Sequence, residues 1–242
     1  AVGRSAESGC LYAAIVNDLH RAAGRSGVGT VMASKNLKAV AVRGTLGVGN
    51  IKDPAKFMEA VTAAKAVLVE NAVTGQGLPT YGTQVLMNVI NETGALPTRN
   101  MSEVQFEGAD KVSGEAMHEL RKSDGKPNLT TNAACFACTI ACGRISTIDQ
   151  GHFSIANKPE YWGNSGGLEY EAAWALGPDN GIDDMDALTY ANFLCNEDGW
   201  DPITFGGTLA AAIELYKIGA ITKEDTGGME LSFGSAEALV WA

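Results

Sequence analysis

Apolar residues recur at helical spacing through LYAAIVNDLHRAAG, and Gly24 follows where a C-cap would fall, so the pattern predicts a helix over 11–24. The next stretch, GRSGVGTVMASKNLKAVAVRG, reads as a glycine-rich turn and then a strand, because Ala39-Val40-Ala41-Val42 is a β-branched run. Asp53-Pro54 pairs an N-cap with an N1 proline and opens a helix through DPAKFMEAVTAAKAVLVENA. A second helix is expected from Thr83 to Thr93, stopped by Gly94, and a shorter third from Gly114 to Lys122. From Ser123 to Gly167 the chain is polar and irregular. Helices return over Asp184 to Asp198, ended by Gly199, and over Ile203 to Lys217, ended by Gly219. The final SAEALVWA opens an amphipathic helix without a stop signal, and with the abrupt start this predicts a chain cut at both ends. No internal repeat or low-complexity tract interrupts the pattern.

The 242 residues suffice for one large domain or parts of two, with a buried core. Apolar residues make up 45%, yet no run reaches the roughly 18 residues needed to span a bilayer. The opening AVGRSAESGC has no charged segment leading into an apolar one, so a signal peptide is not expected and a soluble cytoplasmic protein is. The net charge of −10 argues against nucleic acid as a partner. Residues 1–50 nevertheless carry six Lys/Arg against two acids, whereas residues 160–242 carry two Lys against fifteen acids. A basic opening segment suits an anionic cofactor, although ordinary surface variation produces the same asymmetry.

Three of the five cysteines lie within eight residues, as Cys135-x2-Cys138-x3-Cys142. An odd count clustered in this way fits metal binding in a reducing compartment better than a disulfide framework. Short spacings let several thiolates converge on one iron–sulfur cluster, and the apolar neighbours would shield it. Structural zinc usually takes two separated ligand pairs, and no second Cys or His pair exists here, since His20, His118 and His152 are scattered. Three thiols leave one iron of a cubane without a ligand. Cys195, in Asn192-Phe193-Leu194-Cys195, reads as a buried structural cysteine, so the fourth ligand is expected outside this chain. A deliberately open iron is the other option, but radical enzymes that use S-adenosylmethionine space their cysteines in the opposite order.

Four segments carry a resemblance: GRSGVGTVMASKNLKAVAVRG, YGTQVLMNVINETGALPTRN, ACFACTIACGR and LEYEAAWALGPDNGIDDMDALTYANFLCNEDGWD. In this order they closely resemble the tungsten-containing aldehyde:ferredoxin oxidoreductase family. The resemblance implies an α-rich α/β fold: residues 1–50 would end an N-terminal pterin-binding domain with a short β segment, and residues 51–242 would form a truncated, mostly helical domain. It also implies a tungsten bis-pterin cofactor without a protein ligand to the metal, a magnesium ion bridging the pterin phosphates, and a 4Fe-4S cluster. Cys135, Cys138 and Cys142 match the family's first three cluster ligands.

Asn196-Glu197-Asp198-Gly199-Trp200-Asp201 matches a pterin-contacting segment of pattern acid-x-x-Gly-Leu-acid, with Asn for the first acid and Trp for Leu. The contacts implied are Asn196, Gly199, Trp200 and Asp201. Taken alone, the segment is a helix C-cap. Gly24-Arg25-Ser26-Gly27-Val28-Gly29 resembles the segment that approaches the pterin phosphates. Glycines such as Gly27 and Gly29 let backbone N–H groups near an anion, and Arg25 can grip phosphate oxygens bidentately. Unlike a P-loop, this turn lacks the Gly-Lys-Ser/Thr ending and precedes its strand.

Glu169-Tyr170-Glu171 matches the family's Glu-Tyr-Glu, which implies a glutamate near tungsten: Glu171, with Glu169 as runner-up. Aldehyde oxidation needs a base for water, and an apolar pocket raises a carboxylate pKa toward neutrality. The bland reading is an exposed glutamate at a helix entry.

The function implied is oxidation of a small aldehyde to a carboxylic acid, with electrons passed singly to ferredoxin or an iron–sulfur partner subunit, in an oligomeric enzyme. One alternative keeps the fold but reduces aromatic acyl-CoA rings. Another, of a different class, is an electron-transfer module with a cluster and no pterin.

Overall fold

The computed structural model describes residues 1–47 and 49–242. Among these residues helices dominate, with two small antiparallel sheets. The fold class is therefore the expected α-rich α/β.

The first element is a single turn, α1 (Arg4–Glu7). The helix expected over 11–24 is instead a hairpin of β1 (Ile15–Asn17) and β2 (Arg21–Ala23), in register Ile15↔Ala23 to Asn17↔Arg21. The connection is the three residues Asp18, Leu19 and His20; Asp18 and Leu19 take positive φ, 52° and 58°, the His20 N–H donates to the Asn17 carbonyl at 3.4 Å, and Asp is one of the residues that tolerate that backbone. Tertiary pairing decides against the helix. Val2 bridges Ile15, Ala13 bridges Trp200, and the Ala14 N–H donates to the Gly199 carbonyl at 2.7 Å. After the glycine-rich turn comes α2 (Val28–Ala33), which the sequence pattern does not predict. The strand expected over 39–42 is not formed. Val40 and Val42 are 70% and 89% exposed, and β-propensity without a neighbouring strand to pair with is too weak to order a strand.

Asp53 caps α3 (Pro54–Glu70) as expected, its carboxylate accepting from the Lys56 N–H at 3.1 Å. The expected second helix is a 3₁₀ turn (Gly82–Val85) running into α5 (Leu86–Glu92), stopped at Gly94 with φ +69°; between α3 and that turn lies α4 (Leu78–Tyr81). The third shrinks to a 3₁₀ turn, Ala116–His118.

The stretch read as irregular holds a three-stranded sheet, β3 (Leu129–Ala133), β4 (Gly143–Ser146) and β5 (Ser165–Gly166), each antiparallel to the next. Residues 134–142, with the three clustered cysteines, form the β3–β4 connection. The core follows, in α6 (Tyr170–Leu176), α7 (Met185–Asp198), α8 (Pro202–Lys217) and α9 (Ala236–Trp241). Leu168, Ala173, Leu176, Leu188, Leu209, Ile213 and Leu239 are buried together there. Asp184 caps α7 through the Ala187 N–H at 3.0 Å, and Gly199 ends it in the left-handed conformation. No described helix is long and apolar enough to cross a membrane.

Candidate active site at the junction of the hairpin and the helical core

Two segments far apart in sequence meet because each uses glycine to bring backbones into contact. Gly199 has φ +75°, and a Cβ there would lie 2.9 Å from the Gly3 nitrogen. Ser5 Oγ donates to the Gly199 carbonyl at 2.9 Å, and the Asp201 N–H donates to the Tyr12 carbonyl at 3.2 Å. On the other side, a Cβ on Gly27 would lie 2.1 Å from the Leu11 carbonyl oxygen, and one on Gly29 would lie 2.4 Å from that of Ala14. The Gly29 N–H is spent on the Ala13 carbonyl at 2.9 Å. Gly27 and Gly29 thus serve close packing and are not among the residues that line the cavity, and the Gly29 N–H is already bonded. Their packing presents the preceding residues, Gly24 and Arg25.

Those residues open onto a cavity of about 320 Å³, bounded by the hairpin, the start of α6, the end of α7 and the start of α8. Of the site residues expected from sequence, Arg25, Asn196, Trp200, Asp201 and Glu171 line it, as does the runner-up Glu169. Gly199 lies behind the wall as the cap of α7. Arg25 is 62% exposed, and its Nε stands 3.6 Å from the Asp201 carboxylate. Asp201 is buried and committed, capping α8 through the Ile203 N–H at 3.1 Å and accepting from Thr204 Oγ1. Asn196 is half-buried, and its amide bonds to none of the described residues. Trp200 is wedged edge-on between Tyr12 and Phe205, with ring centroids 5.9 and 5.4 Å away.

The two glutamates differ. Glu169 is held at both oxygens, by Arg21 Nη1 at 3.1 Å and Thr83 Oγ1 at 2.6 Å. Glu171 is exposed and accepts only from Trp174 Nε1, at 2.8 Å. It is therefore not enclosed in an apolar pocket, contrary to expectation, but it is the carboxylate with capacity left to accept a proton.

The Arg21–Glu169 pair leads from this cavity to the cysteine loop, since the Arg21 guanidinium packs against Gly143, the residue after Cys142, where a Cβ would lie 2.3 Å from its Nη2. Cys135 and Cys138 are exposed and Cys142 half-buried. The apolar neighbours provide no shield, Phe136 being 99% exposed. The backbone N–H groups of Ala141 and Ile140, the latter donating to Cys138 Sγ at 3.4 Å, favour its thiolate and lower its pKa, whereas burial and then Glu169 push Cys142 up against the pull of Arg21. Among the described residues, no three Cys, His, Asp or Glu converge as a metal site. The donor set itself is soft thiol with N–H···S bonds, which suits iron–sulfur ligation. Cys195, as read from sequence, is buried, and burial raises its thiol.

Sequence reading missed His20 and Asn192, which also line the cavity. Asn192 is four residues before Asn196 on α7, so a shared helix face was the available signal. His20 had none, because the hairpin that places it read as a helix.

Family models match on both sides of residue 50: the aldehyde ferredoxin oxidoreductase N-terminal domain over residues 1–44, and domains 2 and 3 over residues 59–242. This chain belongs to the aldehyde ferredoxin oxidoreductase family. Tungsten-containing aldehyde ferredoxin oxidoreductase of Pyrococcus abyssi is 45% identical over 98% of this chain and 37% of that protein. The Pyrococcus furiosus protein of the same name is 43% identical over 98% of this chain and 36% of that one. A second Pyrococcus furiosus family relative, the WOR-like subunit of an aliphatic sulfonate oxidoreductase, is 28% identical over 98% of this chain and 35% of its own length. The chain thus spans little more than a third of the length of these family relatives. Among solved structures, the active-site complex BamBC of benzoyl coenzyme A reductase with 1,5-dienoyl-CoA superposes with a TM-score of 0.70 at 19% identity, over 100% of this chain and 35% of that one. At that identity the likeness speaks for the fold alone.

Proposed function

We propose that this chain is the part of a tungstopterin aldehyde oxidoreductase that carries one side of the pterin site and the cluster loop. The supporting observation is the convergence of Arg25, Asn196, Trp200 and Glu171 on one cavity joined to the cysteine loop through Arg21, which bonds Glu169 and packs against Gly143. The identity to tungsten-containing family members supports the cofactor. Residues 1–50 act as the end of a pterin-binding domain and residues 51–242 as part of the helical domain that carries the cluster loop.

The residues present fit an anionic, polar-edged cofactor. Arg25 is exposed at the cavity and can grip phosphate oxygens, which a bridging magnesium ion would further neutralise. The free amide of Asn196 is a donor and acceptor for a pterin edge, and Trp200 gives a flat apolar wall. Asp201, already bonded on both oxygens, orients Arg25. Cys135, Cys138 and Cys142 would ligate a 4Fe-4S cluster. The cofactors, where bound, would supply the two-electron redox chemistry at the aldehyde carbon and one-electron transfer toward ferredoxin or a partner subunit. The reaction RCHO + H₂O → RCOOH + 2H⁺ + 2e⁻ needs a proton acceptor for the attacking water, and Glu171 is the carboxylate free to serve.

The test is anaerobic purification of the longer protein containing this chain. Tungsten and iron in the metal analysis, with aldehyde-dependent reduction of a ferredoxin, are expected. Iron without tungsten or molybdenum would overturn the pterin assignment in favour of an electron-transfer module, and turnover of benzoyl-CoA in place of aldehydes would overturn the reaction.

A further inference from the structure

Two residues beyond the last clustered cysteine, the chain buries a cation that forms no ion pair with a carboxylate among the described residues. Arg144, on β4, is 2% exposed and is among the largest fully buried side chains. Its Nη1 donates to Asn132 Oδ1 on the paired strand β3, and its Nη2 donates to the Leu78 carbonyl at 3.0 Å. Its Nε has no partner among the described residues. Gly82 provides the room: a Cβ there would lie 2.3 Å from that Nε. The guanidinium therefore fastens the base of the cysteine loop to the start of α4, and both acceptors are neutral.

A charge removed from water and left unneutralised costs far more than two neutral hydrogen bonds return. The charged groups acting on Arg144 are Glu169 and Cys142. Glu169 is already bonded to Arg21 and Thr83. What remains is the loop that ends at Cys142. Thiolate-bound iron–sulfur clusters are anions that gain a further negative charge on reduction, and a fixed buried cation favours the reduced form.

We infer that Arg144 is the built-in counter-charge of the anionic centre on Cys135, Cys138 and Cys142, a positioning residue that sets the reduction potential of that centre. The inference rests on the cluster reading proposed above. It separates the two arginines near the loop: Arg21, a third exposed, ties the loop to the cavity, whereas Arg144 contributes charge from the side sealed from water.

The experiment uses the complete enzyme, with iron content measured alongside the cluster's midpoint potential in an EPR-monitored redox titration. Arg144→Gln and Arg144→Met both remove the charge. Replacing a buried ion by an apolar side chain of similar volume is often tolerated, so the Met variant carries the test if the Gln variant fails to fold. Arg144→Lys keeps the charge. With iron retained, the neutral variants are expected to disfavour reduction by about tenfold, a drop of about 59 mV for a one-electron couple, and the Lys variant is expected to stay close to wild type. An unchanged potential in an iron-loaded neutral variant would overturn the inference and leave the cluster reading intact, and so would a Lys variant shifted as far as the neutral ones. Wild-type enzyme without an iron–sulfur signal would overturn both.

Discussion

Glu169 and Glu171 stand at the entry of α6 and have divided their roles by their partners. Glu169 is tied to Arg21 and Thr83, and Glu171 is left with one indole N–H. Glu171→Gln preserves size and the bond from Trp174 but removes the proton acceptor. In the complete enzyme kcat is expected to fall by about 10²–10⁴ with tungsten and iron content unchanged, measured as anaerobic aldehyde turnover beside metal analysis. Glu169→Gln should cost far less in kcat. Its pair with Arg21 is about a third exposed on both sides, so the expected stability loss is under about 1 kcal/mol. Reversed effects would identify Glu169 as the base. If neither substitution slows turnover, both carboxylates serve packing.

The ends of α7 show how an element delivers side chains to a site. Its C-terminal cap places Asn196, Trp200 and Asp201 because Gly199 can turn left-handed where Gly3 leaves no space for a Cβ. Gly199→Ala should destabilise by at least about 1–2 kcal/mol, lowering Tm by about 2–8 °C in a thermal melt; an unchanged Tm would mean that the cap relaxes freely. At the N-terminal end, Asp184 accepts from the Ala187 N–H and also meets His152 Nε2 at 3.1 Å. Burial opposes protonation of His152, but the hydrogen bond and charge of Asp184, with Asp186 and Asp149, outweigh it and raise its pKa. Asp184 is lowered in turn by His152 against its own burial, while Arg121 stands beside Asp186. A raised histidine pKa stabilises fully below the unfolded value of about 6.5 and loses that contribution as pH rises through the folded value. His152→Gln should therefore lower Tm most near pH 6 and progressively less toward pH 9. A gap that widens with pH would refute the pairing.

At the scale of the whole molecule, the cavity and the cysteine loop lie on either side of the Arg21–Glu169 pair, so the proposed redox centres share one wall of protein. Replacing Cys135, Cys138 or Cys142 singly by Ser in the complete enzyme is expected to lower iron per chain and bleach the cluster's visible absorption. Tungsten should be retained, because the cavity residues are untouched. Cys195→Ser should leave iron unchanged, since that thiol is buried within α7. Full iron in all three loop variants would remove the cluster from this loop.

Local chemistry was enough wherever one signal dominated. Asp53 as an N-cap, Gly94 and Gly199 as stops, the spans of α7 and α8 and the burial of Cys195 could be read directly, because capping and helical periodicity act over a few residues. The motif at 196–201 and the Glu-Tyr-Glu segment stood out as candidate chemistry only through the family resemblance; local signals alone read them as a helix C-cap and a helix entry. What stayed hidden depended on partners distant in sequence. Residues 11–24 have helical spacing but pair with Val2, Gly199 and Trp200, and strand pairing is a property of the neighbour as much as of the strand. The sheet around the cysteine loop, the left-over capacity of Glu171 against the bonded Glu169, and the roles of His20, Asn192 and Arg144 all follow from who stands opposite. Side-chain identity determined which chemistry was available, and tertiary packing decided which groups were free to use it.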